Sequence, residues 1–240
     1  MTDAQSHHDM RIARNELKYY ISHNQYIIMS NMIGKLLNED AHNKKNKGYF
    51  VRSLYFDTLG DKSYEEKAAG IDERTKYRLR IYDINASWVK FEIKSRHNNY
   101  IIKDTASISM EDAAAMQSMD YDVMLKYSDR ILNKAYKEFK KYHYKPVVMV
   151  DYERHAFISD FNDIRIVFDK ALRTTTFPLD LFDDKAFPTK KLRDGLVILE
   201  IKYNHFIPDF IKQALQIPSF ERSAVSKYCI GRIDNFDSVS

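Results

Sequence analysis

The sequence predicts an α+β domain built on a largely antiparallel sheet. Apolar and polar residues alternate along many short segments, and helix-like stretches separate runs of such segments rather than following each one. Only six Gly and five Pro are scattered through the 240 residues, and no internal repeat of long period divides them. One domain is therefore expected over residues 11–232, with flexible tails at 1–10 and 233–240.

The strands follow in order. "RNELKYYI" sets Arg14, Glu16 and Lys18 opposite Leu17, Tyr19 and Ile21, and "YFVRSLYFDT" contributes Arg52. "TKYRLRIYD" places Lys76, Arg78 and Arg80 on one face, with Tyr77, Leu79 and Ile81 on the other. "WVKFEIKSR" sets Lys90, Glu92, Lys94 and Arg96 against Val89, Phe91 and Ile93. "VVMVDYERHAF" brings Arg154, "DIRIVFDKAL" brings Arg165 and Asp169, and "LVILEIKYN" sets Glu200 and Lys202 opposite Val197, Leu199, Ile201 and Tyr203. At least seven strands result.

Helices fall between them. Residues 24–40 repeat apolar positions at Ile28, Met32 and Leu36. Residues 111–143 form one or two helices that bury Met116, Met124, Leu132, Tyr136 and Phe139. A short helix starts at Pro208 and ends before Pro218, and another covers Arg222 to Ile230.

Composition excludes several classes. Hydrophobic residues at 44% and charged residues at 30% mark a folded chain, and a net charge of +4 is too small to attract a polyanion without local placement. Cys229 is the sole cysteine, so no internal disulfide forms, and a reducing compartment and a packed thiol are expected. The leader, which holds His7 and His8, has no apolar core of signal-peptide length, and "VVMV" at 147–150 falls far short of a membrane span. A soluble cytoplasmic protein is the reading. No GxxxxGK[ST], GxGxxG, GxSxG or HExxH occurs. The tyrosines around "KYHYKP" are expected to pack a helix end, so no nucleic-acid partner is inferred. Asp57 either caps a turn or orients a basic residue, Asp169 pairs with an arginine, His155 packs outside, and Trp88 is a core or strand-edge aromatic.

Strands with one apolar and one charged face suit either a sandwich, whose charges face water, or a tunnel, whose charges line the inside. The charged faces favour the tunnel, because Arg and Lys dominate them and stand among single glutamates: Glu16 beside Lys18, Glu92 beside Lys94, Glu200 beside Lys202. Cations converging on a small volume repel one another unless an anion sits among them. Glutamates there oppose that anion unless they hold a divalent cation between themselves and it, as carboxylates do when Mg²⁺ or Mn²⁺ bridges to phosphate. Glu16, Glu92 and Glu200 are the candidate metal ligands, and Lys76 joins the phosphate-binding set.

The ordered motifs "RNELKYYI", "SLYFDT", "KYRLRIY", "FEIKSR", "YERHAF", "RIVFD", "LEIKY" and "SKY", between Arg11 and Arg232, resemble the polyphosphate polymerase domain of the vacuolar transporter chaperone family, within the triphosphate tunnel metalloenzyme superfamily. The resemblance implies an eight-stranded antiparallel β-barrel tunnel with helices packed outside. It implies phosphate contacts from Lys18, Arg52, Arg78, Arg80, Lys94, Arg154, Arg165, Lys202 and Lys227, with Ser226 in the same "SKY", and a metal on Glu200. Where the hydrolytic and cyclase-like branches begin ExExK, this chain has Arg14 in place of the first glutamate, which favours the polymerase branch. The implied activity is transfer of the terminal phosphoryl group of ATP to inorganic polyphosphate with Mn²⁺ or Mg²⁺, with a membrane partner protein to handle product. A triphosphatase and a non-catalytic polyphosphate-binding module are the alternatives.

Overall fold

The computed structural model describes residues 15–43, 48–97, 100–185, 189–190, 195–216, 223 and 225–232. His7, His8, Arg14 and Arg222 lie outside the described residues.

Alternation becomes sheet at β1 (Asn15–Ser22), β3 (Tyr49–Asp57), β4 (Arg74–Ile81), β5 (Trp88–His97), β6 (Tyr100–Ser109), β7 (Lys145–Ser159), β8 (Ile164–Thr175) and β10 (Leu196–Tyr203), with short β2 (Asn38–Glu39) and β9 (Thr189–Lys190). The order is β1-β10-β8-β7-β3-β4-β5-β6, with β2 added to β7 and β9 to β8. Every pairing is antiparallel. The eight-strand path curls into the expected tunnel. It is not closed by hydrogen bonds among the described residues, because β1 and β6 end the path unpaired with each other. Ser223 instead donates its N–H to the Lys18 carbonyl on the edge strand β1 at 2.9 Å.

The apolar faces point outward beneath helices. Leu79, Phe91 and Phe56 share one core with α3 (Met110–Gln117) and α4 (Arg130–Tyr142), to which Met116, Leu132 and Phe139 contribute. Asp129 starts α4 by accepting the N–H groups of Ile131 and Leu132, and Tyr144 stacks on Phe139 where the helix ends. Leu199, Ile201 and Phe168 pack under α1 (His23–Ile33) and α5 (Asp209–Ala214).

Two helix expectations are corrected. Ser22 and Gln25 cap α1 reciprocally, and the helix stops at Ile33, because the chain turns at Gly34 to pair Asn38 and Glu39 with β7. Its buried stripe is Tyr26, Met29, Ser30 and Ile33, while Ile28, Met32 and Leu36 are exposed. Two apolar stripes lie side by side in "YIIMSNMI", and the sheet meets the one whose Tyr26 bonds His155 at 3.1 Å. The last helix, α6 (Lys227–Arg232), is shorter than expected.

A third core lies on the inner face. Tyr228 and Ile230 of α6 pack with Val148, Val150, Leu172 and Ile198, filling one end of the enclosed space. Gly231 makes this approach possible, since a Cβ there would stand 2.7 Å from the Val148 Cγ2. Asp57 takes the N–H groups of Thr58, Ser63 and Tyr64 at 2.8, 2.9 and 3.1 Å, capping the turn into α2 (Lys62–Ala68), and also accepts the Tyr228 hydroxyl. Trp88 is 62% exposed at the start of β5, a strand-edge position.

Candidate functional site

A cavity of about 560 Å³ opens between the β4–β5 wall and the β1–β10 wall. Among the described residues, eleven Lys and Arg side chains line it beside two carboxylates, Glu16 and Glu200. Register explains the convergence. Lys76, Arg78 and Arg80 descend one face of β4 on alternate residues, and the antiparallel pairing sets Lys18 opposite Glu200 and Glu16 opposite Lys202. Of the sequence-predicted residues, Lys18, Lys76, Arg78, Arg80, Lys94, Arg154, Lys202, Ser226, Lys227, Glu16 and Glu200 all line the cavity.

The grips are held from behind. Arg78 bonds Glu92 at 2.6 Å and the Tyr55 hydroxyl at 3.0 Å, while Arg80 reaches Ser53 at 3.1 Å and the Tyr152 hydroxyl at 3.2 Å. Arg154 makes two parallel bonds to Asp169, and Lys227 reaches the same carboxylate at 2.5 Å. Lys76 bonds Ser226 at 3.1 Å and lies over the Tyr228 ring.

Electrostatics record the crowding. Burial pushes Lys94 down to about 8, and Lys18 and Lys202 push the same way, against the attraction of Glu16 and Glu200. Burial also lowers Lys76. The Tyr55 phenol is pulled down to about 8, because Arg78 and Arg80 outweigh the burial that opposes its ionisation. Burial likewise opposes ionisation of Glu200, yet Lys202, Lys18, Lys227 and Arg154 hold its carboxyl well below the usual range. Each cation thus favours an anion in the cavity.

Three predicted residues stand elsewhere. Arg52 shares the outward face of Leu54 and Phe56 and is buried in a two-pronged pair with Asp151 at 2.8–2.9 Å, so it does not line the cavity. Arg165 sits at the far end of the inner face, bound to Asp40 at 2.7 Å and to the Tyr49 hydroxyl at 3.2 Å. Glu92, the third candidate metal ligand, does not line the cavity with Glu16 and Glu200. Its strand position opposite Arg78 commits it to Arg78, Arg80 and Lys103. No group of three or more His, Cys, Asp or Glu poised for a metal occurs among the described residues.

The remaining two carboxylates fit a hard divalent cation. Glu16 and Glu200 line one cavity and sense each other's charge, and Mg²⁺ or Mn²⁺ needs only one or two carboxylates when phosphate oxygens and water complete its shell. Softer metals would call for thiolate or imidazole. Cys229 is half-buried, with its sulfur 4.0 Å from the Lys76 amine, and His155 lies on the outer face beneath α1.

Sequence reasoning missed Lys67, Arg74 and Arg96 as lining residues, together with Tyr55, Tyr152 and Tyr228. Arg74 and Arg96 carried a signal, since Arg96 ends the charged face of "WVKFEIKSR" and Arg74 extends the alternation of Lys76, Arg78 and Arg80 by one step. Lys67, on α2, carried none.

Comparison with known proteins agrees with this geometry. No curated protein matches the sequence. Among solved structures, a Hippeastrum protein named as an adenylyl cyclase candidate, whose dominant activity is given as triphosphatase, aligns with a TM-score of 0.54 at 16% identity, covering 93% of this chain and 95% of that one. An adenylate cyclase candidate from Bacillus halodurans aligns at 0.50 and 11% identity, covering 90% and 96%. One from Vibrio parahaemolyticus gives 0.50 and 13%, covering 93% and 99%. At such identities the likeness speaks for the tunnel fold. No helix among the described residues is long and apolar enough to cross a membrane. The VTC domain model matches residues 13–233, and the chain belongs to that family.

Proposed function

We propose that the chain is a metal-dependent polyphosphate polymerase that transfers the terminal phosphoryl group of ATP to a growing polyphosphate chain. The observation that carries this reading is the cavity itself, where eleven cations surround two carboxylates and burial disfavours several of those charges.

Phosphoryl transfer depends mainly on aligning the attacking and leaving oxygens and neutralising charge on the transferred group. Arg78, Arg80, Lys94, Arg154 and Lys202 grip the phosphates, Lys18 and Lys227 close the ends of the site, and Lys76 and Ser226 extend the grip. Glu200, with Glu16 beside it, would hold Mn²⁺ or Mg²⁺, which supplies charge neutralisation at the phosphoryl oxygens when bound. A terminal oxygen of the polyphosphate chain attacks the γ-phosphorus, the bond from that phosphorus to the β-bridging oxygen breaks, and ADP leaves. The nucleophile is already ionised and needs no base. No histidine lines the cavity among the described residues, which favours transfer to phosphate over attack by water.

A second reading, triphosphate hydrolysis, rests on the fold likeness to the Hippeastrum protein whose dominant activity is given as triphosphatase. Gel electrophoresis of products from ATP with Mn²⁺ or Mg²⁺ tests both. Long polyphosphate supports the polymerase, release of orthophosphate alone supports the hydrolase, and binding without turnover leaves only a polyphosphate-binding module.

A further inference from the structure

The inward-facing rows of β3 and β4 do not end in cations. Past Arg80, the next residue on the same alternation is Tyr82, which is 40% exposed just beyond the strand. The β3 row begins with Tyr49, paired in register with Arg154, and runs through Val51 and Ser53 to Tyr55. Tyr49 and Tyr82 meet with ring centroids 5.9 Å apart, and His42 completes the group at 5.8 Å from Tyr49 and 6.4 Å from Tyr82.

This cluster is built rather than incidental. Asp40 is 5% exposed and takes both the backbone N–H of His42 at 2.9 Å and its ring Nδ1 at 2.8 Å, fixing the imidazole in place. Arg165 ties Asp40 to the Tyr49 hydroxyl. The Arg165 position that sequence reasoning gave to phosphate thus serves to brace three rings. The His42 side chain keeps 75% of its surface and Tyr82 keeps its own exposure, so stackable faces meet solvent. Six residues of strand, about 20 Å, separate Tyr49 from Tyr55, where α6 packs in. The aromatic cluster therefore occupies the end of the inner face away from the α6 plug.

We propose that Tyr82, His42 and Tyr49 form a nucleobase platform at this end of the inner face. A nucleoside triphosphate would lay its phosphates on the Arg80 and Arg154 side and stack its base on the exposed rings. Two residues of strand separate Arg80 from Tyr82, about 7 Å, which matches the reach of a ribose between phosphate and base. The inference rests on the phosphate reading of the cavity and adds a base-binding subsite to it. Stacking tolerates any base because every base offers a π-face, so adenine and guanine nucleotides should bind within a few-fold of each other.

Calorimetry with a β,γ-imido analogue of ATP and with inorganic tripolyphosphate, on wild type, Tyr82→Ala and Tyr82→Phe, tests the platform. Tyr82→Ala should weaken the nucleotide about fivefold or more while changing tripolyphosphate less than twofold, and Tyr82→Phe should bind both as wild type does. Independently of any variant, a 2-aminopurine riboside triphosphate should lose fluorescence on binding wild type. Equal weakening of both ligands by Tyr82→Ala, no weakening of either, or an unquenched but bound 2-aminopurine nucleotide overturns the platform while leaving the phosphate site standing. A wild type that binds neither ligand overturns the phosphate reading first and the platform with it.

Discussion

Arg154 and Asp169 stand opposite one another on β7 and β8 and share two parallel hydrogen bonds of 2.8 and 2.9 Å. Asp169 is fully buried, and the Lys227 amine bonds it as well. One carboxylate therefore sets the position of two cavity cations from neighbouring elements. Its carboxyl is held below the usual range because Arg154 and Lys227 outweigh the cost of burial.

The first prediction follows from that pairing. Asp169→Asn keeps the shape and removes the charge, leaving two cations that only the more distant Glu200 offsets. Breaking a buried pair in this way costs about 3–5 kcal/mol, so thermal unfolding should begin well below wild type. Tripolyphosphate supplies the missing negative charge, so its stabilising shift should be larger in the variant than in wild type at equal concentration. Equal shifts in calorimetric scans would show that Asp169 does not organise the anion site.

Two arginines with similar sequence surroundings should behave in opposite ways. Arg78→Ala deletes a planar donor from the cavity while Glu92 keeps Arg80 and Lys103, so the fold should hold. A charged hydrogen bond of this type contributes about 1.5–3 kcal/mol, which corresponds to a ten- to hundredfold loss of tripolyphosphate affinity. Arg52→Ala instead strands the buried Asp151 and should lower stability with little change in affinity among molecules that remain folded. Titration calorimetry beside thermal denaturation reads both, and a large affinity loss in Arg52→Ala would return that residue to the site.

These contrasts show where the sequence was legible. Lys76, Arg78 and Arg80 alternate with Tyr77, Leu79 and Ile81, and one polar face per strand is enough to fix which way each side chain points. In β3 both faces are buried, so "YFVRSLYFD" carries no clean alternation that would show Arg52 facing outward. The alternation of "WVKFEIKSR" puts Glu92 on the charged face, yet its partners are set by register with β4, which a single strand does not encode. The same limit hid the plug, since nothing in "SKYCIGR" says that Tyr228 and Ile230 pack against the inner face of β7 and β8. The stripe of α1 was displaced by one residue because tertiary packing chose between two adjacent apolar rows.

Binding should depend on pH through Lys94. Its amine is pushed down to about 8 by burial and by the neighbouring lysines, although two-fifths of its side-chain surface still meets cavity solvent. Below pH 8 it is charged, and as pH rises through 8 it loses that charge well before an ordinary lysine would. A bound polyanion favours the charged amine, so binding above pH 8 should take up a proton and weaken steadily toward pH 10. The Tyr55 phenol, also near 8, ionises in the same window and weakens the anion further. Calorimetry in two buffers of different ionisation enthalpy reads the proton uptake. Lys94→Met should leave only the tyrosine share of the uptake and Tyr55→Phe only the lysine share, while an unchanged uptake in Lys94→Met would rule out this assignment.

The last prediction separates metal chemistry from anion grip. Glu200 is 5% exposed and its carboxylate oxygens lie 3.2 Å from Lys202 and 3.9 Å from Arg154, both of which also face the phosphate cavity. Glu200→Gln preserves the volume and one acceptor oxygen but removes the charge that would anchor a divalent cation. It also removes a like charge from the path of the phosphate chain and frees Lys202 and Arg154 for it. Turnover of ATP with Mn²⁺ or Mg²⁺ should therefore collapse while tripolyphosphate binds at least as tightly as to wild type. Glu16→Gln gives the control, because Glu16 bonds Lys18 at 2.7 Å and Lys94 at 3.4 Å and so tests whether loss of any cavity carboxylate has the same effect. Activity should fall less in Glu16→Gln than in Glu200→Gln, with metal affinity following the same order in a titration monitored by Mn²⁺ electron paramagnetic resonance. Retained turnover in Glu200→Gln, or an equal loss of activity and tripolyphosphate binding, would remove Glu200 as the metal anchor.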